Sequence, residues 1–430
     1  MLTDFWFGVI AALWAGFFLL EGFDFGVGIL LPLLARTESQ RVQALRTIGP
    51  TWDGNEVWLL VAGGATFAAF PSWYAELFSG LYLPLAAVLV GLIIRGISIE
   101  YRGKVATAAG RAWCDRGMVI GSLLPAVLLG VAFADLIRGL KLDVNHHVTG
   151  NLLDLVTPFG LLGGLTTLGL FAYHGSVFVA LRADGELHRR ARRIATELTG
   201  PVAVVTIAFL AWSFHERHTP VSVAMSVVLV LAFVASAAAN GAGRPGWAFA
   251  ASALVSLGAP VFVLSSLWPY VIPAHNVEAW SLTVQQASSS HYTLVVMTVV
   301  ALIFTPVVIA YQAWAYWVFR SRVTDAGAPR LPRPAPGRSA NDAYLVIPGG
   351  GDGRPAAPGG TGGSAPAGGP AGSGGPAGAG GPAGPGAAGA GPAGAGESAG
   401  PAAAPAGPAD GTGEGTGEGG SPAQPADTRS

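Results

Sequence analysis

The sequence predicts an all-α integral membrane protein of about nine transmembrane helices, N-terminus outside and C-terminus inside. Three observations carry that expectation. Charged residues make up 11% of the 430, against ~25% in a soluble domain, while hydrophobic residues reach 51% and the mean hydropathy is +0.50. Apolar runs recur at lengths suited to ~30 Å of hydrocarbon, which takes roughly 17–25 helical residues to cross. Lysine and arginine crowd alternate gaps between those runs, which orients the chain.

The runs follow in order. Span 1 covers 5–34; no basic residue precedes it, and Arg36, Arg41 and Arg46 follow. Span 2, 54–70, is short and starts inside the polar text WDGNE. Span 3, 77–99, ends at Arg102 and Lys104, joined by Arg111 and Arg116 before span 4, 117–137. Arg138 and Lys141 separate span 4 from span 5, 158–181, after which come Arg182, Arg189, Arg190, Arg192 and Arg193. Span 6, 200–214, is short again and leads to Arg217. Span 7, 221–240, leads to Arg244, span 8 is 247–271, and span 9, 292–319, closes on Arg320 and Arg322. Helix is favoured over strand throughout because an open strand cannot satisfy its backbone in lipid. The opening lacks the basic region and cleavage site of a signal peptide, so span 1 is expected to be retained.

Composition changes sharply near Asp325. Of the 62 glycines 32 lie beyond it, but of the 41 aromatic residues only Tyr344 does. From Gly349 the text is GGP, AGP and AGAG without a strict three-residue period, a low-complexity coil and not collagen. Residues 1–324 are therefore expected to form the transmembrane domain and 325–430 a disordered Gly/Pro/Ala-rich tail on the cytoplasmic side. A net charge of -1 offers no basic surface for phosphate, so nucleic acid is not expected as a partner. The single cysteine, Cys114, supplies neither an internal disulfide nor an iron–sulfur or zinc set.

Ionisable residues inside apolar spans are costly and point to function. Glu21 and Asp24, in LLEGFDFGVG, are three residues apart and share a helix face, with Asp24 one step further inward. Gly22 and Gly26 beside them have the spacing that lets another helix approach closely. Asp53, Asn55 and Glu56 stand at the cytoplasmic start of span 2, where Asp53 followed three residues later by Glu56 also fits a helix cap. Arg95, Glu100 and Arg102 end span 3 on the same side, with Arg95 deep enough to snorkel or to pair with an acid. Seven of the eight histidines lie in loops or at helix ends, and His174 alone is well inside a span, with no methionine paired to it at helical spacing. No metal pattern or haem-ligand pair emerges, and no cofactor is expected on this chain alone.

These clusters also carry a resemblance. EGFDFGVGILLP, GPTWDGNEVWLLVAGGATFAAFP, YAELFSGLYLP, RGISIEYRGK, GSLLPAVLLGVAFADLI, TGNLLDLVTPFGLLGG and GELHRRAR, followed by WPYVIP and YQAWAYW, occur in that order. The chain resembles subunit II of the cytochrome bd-type quinol oxidases over residues 1–324, and the tail lies outside the family pattern. The resemblance implies two four-helix bundles plus a peripheral helix, in the bacterial cytoplasmic membrane. It also implies a heterodimer whose subunit I holds two b-type haems and one d-type haem, oxidises quinol and reduces oxygen to water. Membrane lipid, a structural quinone and small accessory subunits are compatible with it. Asp53 matches the family acid for cytoplasmic protons, Asp24 matches the second acid of the DGFD motif, and Glu21 replaces the first. A proton path Asp53, Asp24, Glu21 is the resulting expectation, with Asn55, Glu56, Arg95, Glu100 and Arg102 as structural or pathway support. Two other classes compete: a proton-coupled secondary transporter, for which no matched pair of broken helices is evident, and a purely structural membrane subunit.

Overall fold

A computed structural model describes residues 1–150 and 152–324; the expected tail, 325–430, lies outside the described residues. The chain starts with α1 (Leu2–Leu34), an uninterrupted apolar helix that ends where Arg36 and Thr37 meet the cytoplasmic face. Thr37 and Gln40 then form a reciprocal capping box that starts the amphipathic helix α2 (Glu38–Ile48), which buries Gln43, Ala44, Thr47 and Ile48 and turns its charges outward. Next come α3 (Trp52–Ala69), α4 (Pro71–Gly80), α5 (Tyr82–Arg102) and α6 (Ala108–Arg138). After the outer loop follow α7 (Pro158–Arg182), α8 (Gly185–Glu216), α9 (Pro220–Gly241) and α10 (Pro245–Leu267). A two-stranded antiparallel patch, β1 (Tyr270–Ile272) and β2 (Leu282–Thr283), leads through the single turn α11 (Val284–Ala287) to α12 (His291–Val318).

Among the described residues, eight helices are long and apolar enough to cross a membrane: α1, α5, α6, α7, α8, α9, α10 and α12. The expected second span, 54–70, folds as the 18-residue helix α3 but is not one of the eight. Its first turn carries Asp53, Asn55 and Glu56, and three polar residues in so short a helix outweigh the apolar remainder. The expected third span, 77–99, is broken at Leu81 into α4 and α5. Gly80 marks the break: a Cβ there would stand 2.6 Å from Val148 Cγ1, so the outer loop presses directly on the backbone. The sixth span, 200–214, is the outer half of a 32-residue helix whose inner half is GELHRRARR and its continuation. The eighth, 247–271, stops as helix at Leu267, and 270–272 is strand.

Helix α1 is the central element, packed by α3, α6, α7 and α10, and 72% of its most apolar stretch is buried against 6% for α12. Gly22 and Gly26 are where α7 crosses it: a Cβ on Gly22 would meet Phe171 Cδ1 at 2.8 Å, and one on Gly175 would stand 2.5 Å from Gly26 C. Backbone thus meets backbone beside the two acids, excluding water from them. Segments read from charge as lying on one side touch one another. The outer loop after α6 bonds to the stretch before α11 (Leu140 N to Pro273 O, 2.9 Å), and on the inner side Gln43 Nε2 donates to Val323 O at 2.8 Å.

Candidate functional site

Four helices bring polar groups to one point in the apolar interior. Glu21 and Asp24 project from one face of α1 and are fully buried, and the Arg95 side chain of α5, itself 1% exposed, lies against them. The guanidinium is ion-paired with Glu21, with Nη1 on Oε1, and its Nη2 is 4.0 Å from Asp24 Oδ2. It also sits 4.8 Å from the centroid of the Phe25 ring, so its flat face is covered as its edge meets the acids. A buried charge is tolerated only with a countercharge or hydrogen bonds, and Arg95 supplies the countercharge for both acids.

Asp24 receives a second partner from α3. Asn55, fully buried, donates from Nδ2 to Asp24 Oδ2 at 2.7 Å. Its carbonyl Oδ1 accepts two hydrogen bonds from α12, from Gln312 Nε2 at 3.0 Å and Tyr316 Oη at 2.8 Å. Two donors on one atom decide which end of the amide is oxygen, so α12 holds the Asn55 amino group toward Asp24. Sequence reasoning missed Gln312 and Tyr316. Their signal was present in YQAWAYW, two polar side chains four residues apart and so on one face of an otherwise apolar helix.

The remaining expected residues separate. Asp53 is exposed in the first turn of α3, with Glu56 half-buried one turn deeper on the same face. The capping role considered for Asp53 does not occur: the residue before the helix is Thr51, and no side chain caps α3. Asp53 precedes no free amide it could fold back on, because it already lies inside the helix. Arg95, Glu100 and Arg102, adjacent in sequence, go to three different surroundings. Glu100 is exposed, 3.8 Å from Lys104 Nζ. Arg102, 3% exposed, donates to both Glu38 oxygens at 2.9 and 3.0 Å and from Nε to Asp115 Oδ1 at 2.5 Å. Arg41 reaches the same Asp115 at 3.2 Å, so this ionic knot pins α2 to α5 and α6 at the cytoplasmic surface. Burial raises the Glu38 carboxyl, but the Arg102 hydrogen bonds and neighbouring positive charges outweigh it and hold the group below its ordinary range.

His174 is buried and fully engaged: Nε2 donates to Leu19 O at 3.2 Å, Nδ1 meets Ser252 Oγ at 2.8 Å, and the ring stacks on Phe249 at 5.2 Å. It is packed between α1 and α10 as a hydrogen-bonding core residue, a poor fit to an axial haem ligand. Among the described residues no group of three or more His, Cys, Asp or Glu side chains is arranged to hold a metal ion.

The residue pattern of the cytochrome bd terminal oxidase subunit II family matches residues 2–319. The chain is similar to the cytochrome bd ubiquinol oxidase subunit 2 of Bacillus subtilis, 40% identical over 331 residues that cover 75% of this chain and 97% of the relative. It is also similar to the cytochrome bd-I ubiquinol oxidase subunit 2 of Escherichia coli, 33% identical over 366 residues, covering 75% of this chain and 96% of that one. In fold it is similar to a chain of the bd oxidase structure from Geobacillus thermodenitrificans, with a TM-score of 0.60 at 20% identity, covering 74% of this chain and 98% of that chain.

Proposed function

From the premise that the chain belongs to the cytochrome bd terminal oxidase subunit II family, we propose that it contributes a cytoplasmic proton-uptake path to a haem-bearing partner. It is the subunit II partner in a quinol oxidase, a haem-containing oxidoreductase complex of the bacterial cytoplasmic membrane. Subunit I is read as the site of two b-type haems and one d-type haem, of quinol oxidation and of oxygen reduction to water. The haem supplies the electron transfer there; the engaged nitrogens of His174 offer it nothing on this chain.

Reducing oxygen to water consumes protons, and this chain's part is to hold and pass them through a low-dielectric interior. The observation that carries the reading is the hydrogen bond from Asn55 to Asp24, because it ties the buried acids of α1 to the helix that begins with exposed Asp53. Glu56 lies between the two in burial. Two carboxyl groups share one guanidinium at Arg95, so the group reaches neutrality with one proton held between them. Asp53 collects the proton at the water-facing end, Glu56 and Asp24 relay it, and Glu21 is the innermost station.

A second reading, in which the acids only tie helices together, is favoured by the direct ion pair between Glu21 and Arg95. Asp53→Asn in the intact complex separates them, since the amide keeps the shape but cannot exchange a proton. Turnover and proton uptake per haem are expected to fall on the order of tenfold at unchanged haem content. Full turnover with normal uptake per haem would remove Asp53 from the path and leave the structural reading.

A further inference from the structure

At the opposite end of the molecule a second buried acid has no use in the proton path. Asp135, in the last turn of α6, is 2% exposed. Thr157 fixes its carboxyl: the hydroxyl accepts from Gly160 N at 2.8 Å as the cap of α7 and donates to Asp135 Oδ1 at 3.0 Å. The other oxygen, Oδ2, has no hydrogen-bond partner among the described residues. Asp135 lines a cavity of about 450 Å³ enclosed by the ends of α6 and α8, the start of α7 and the outer loop. A carboxylate at a helix C-terminus faces the negative end of the dipole, so nothing in α6 compensates it.

One turn along the same helix, Arg138 lines the same cavity. Its Nη2 turns away to His275 Nε2 at 3.4 Å, and it makes no ion pair with Asp135 or any other acid among the described residues. The other charged groups of the lining are engaged: Lys141 Nζ is 2.8 Å from Asp154 Oδ1, and Glu216 accepts from the Trp212 indole at 2.9 Å. What remains is one anion and one cation, on one wall, separated and each without a countercharge. That pattern complements a zwitterion, since a simple cation would meet Arg138 and a simple anion would meet Asp135.

The rim says which kind. Leu153, 79% exposed, and Val156, 55% exposed, line the same cavity and carry apolar surface outward beside it. Trp212, 40% exposed with its N–H turned to Glu216, is the amphipathic side chain favoured at a membrane–water interface. We propose that this cavity binds the headgroup of an outer-leaflet phospholipid that carries a primary ammonium. The ammonium is taken by Asp135 Oδ2, the phosphate by the Arg138 guanidinium, and an acyl chain follows Leu153 and Val156. The inference is independent of the proton path.

Native mass spectrometry of the intact, delipidated complex tests it, with phosphatidylethanolamine or phosphatidylglycerol added back. Wild type is expected to retain phosphatidylethanolamine in preference, and Asp135→Asn and Arg138→Gln are each expected to weaken that retention about tenfold, the change for a lost charged hydrogen bond. Phosphatidylglycerol binding should not change. Arg138→Gln leaves the Asp135–Thr157 contact in place, so it decides the matter if Asp135→Asn does not assemble. Equal retention by the variants and wild type, or no preference between the two lipids, overturns the proposal. Displacement of the lipid by soluble phosphoethanolamine at equal concentration overturns the assignment to a lipid.

Discussion

The two ends of this molecule treat buried charge in opposite ways. On the inner half of α1, Glu21 and Asp24 are matched by Arg95 from α5 and by Asn55 from α3, and the Asn55 amide is itself held by Gln312 and Tyr316. At the outer end of α6, Asp135 and Arg138 share a cavity and neither is matched by the chain. A compensated cluster gains nothing from an outside ligand but can exchange a proton without acquiring a large net charge. An uncompensated pair is stable only with something from outside, because desolvated charge without a partner is costly. Burial alone therefore does not distinguish a relay from a binding site; the completeness of the countercharge does.

The largest effect is expected from breaking the inner match. Arg95→Met removes the only cation beside two fully buried acids and should destabilise the assembled complex by about 3–5 kcal/mol. Thermal unfolding of the purified complex measures it, and adding Glu21→Gln to that variant should recover part of the loss by removing one orphaned charge. If Arg95→Met unfolds at the wild-type temperature, the inner cluster is not held by its countercharge and the contrast with the outer cavity fails.

A smaller effect sharpens the role of α12. Tyr316→Phe deletes one of the two donors that orient Asn55 and should cost about 1 kcal/mol. Under the relay reading it should also lower turnover per haem, whereas a helix that only packs would lose stability without losing turnover. Gln312→Leu provides the companion measurement, since its donor reaches the same Asn55 oxygen.

The smallest effect lies at the outer loop. His147 Nδ1 is 2.8 Å from Glu76 Oε1, and that hydrogen bond and charge raise the imidazole above its ordinary value. Its contribution is thus fully present below the unfolded histidine value, ~6.5, and is lost as pH rises through the raised folded value. Amide exchange in residues 141–149 should quicken across that interval, and Glu76→Gln should flatten the dependence. Because the imidazole is solvent-exposed, the change should stay local to the loop and leave the inner cluster unaffected.

Much of the fold was legible because lipid imposes a strong rule: a run of ~20 apolar residues has few alternatives to a spanning helix. It failed where a helix departs from that rule. Helix α3 is too polar at its start, and the apolar text across Leu81 is continuous although the backbone bends there to admit Val148. Of the site, the acids and Arg95 could be singled out by their cost in an apolar setting. Their grouping could not: Arg95, Glu100 and Arg102 are near neighbours in the sequence, yet they point to the interior, to solvent and to the α2 knot.

What the sequence alone determined is the membrane architecture, the side on which each loop lies, the family motifs and the identity of the costly residues, because hydropathy and charge act through composition and spacing over one helix at a time. Which costly residues compensate one another was decided by tertiary structure. Asn55 meets Asp24 across 31 positions and Tyr316 across 261, and Asp135 meets Thr157 yet no cation. Countercharge depends on the distances between side chains of different helices, and those are set by how the helices cross, with Gly26 and Gly175 in backbone contact beside the acids, not by the order of residues along any one of them.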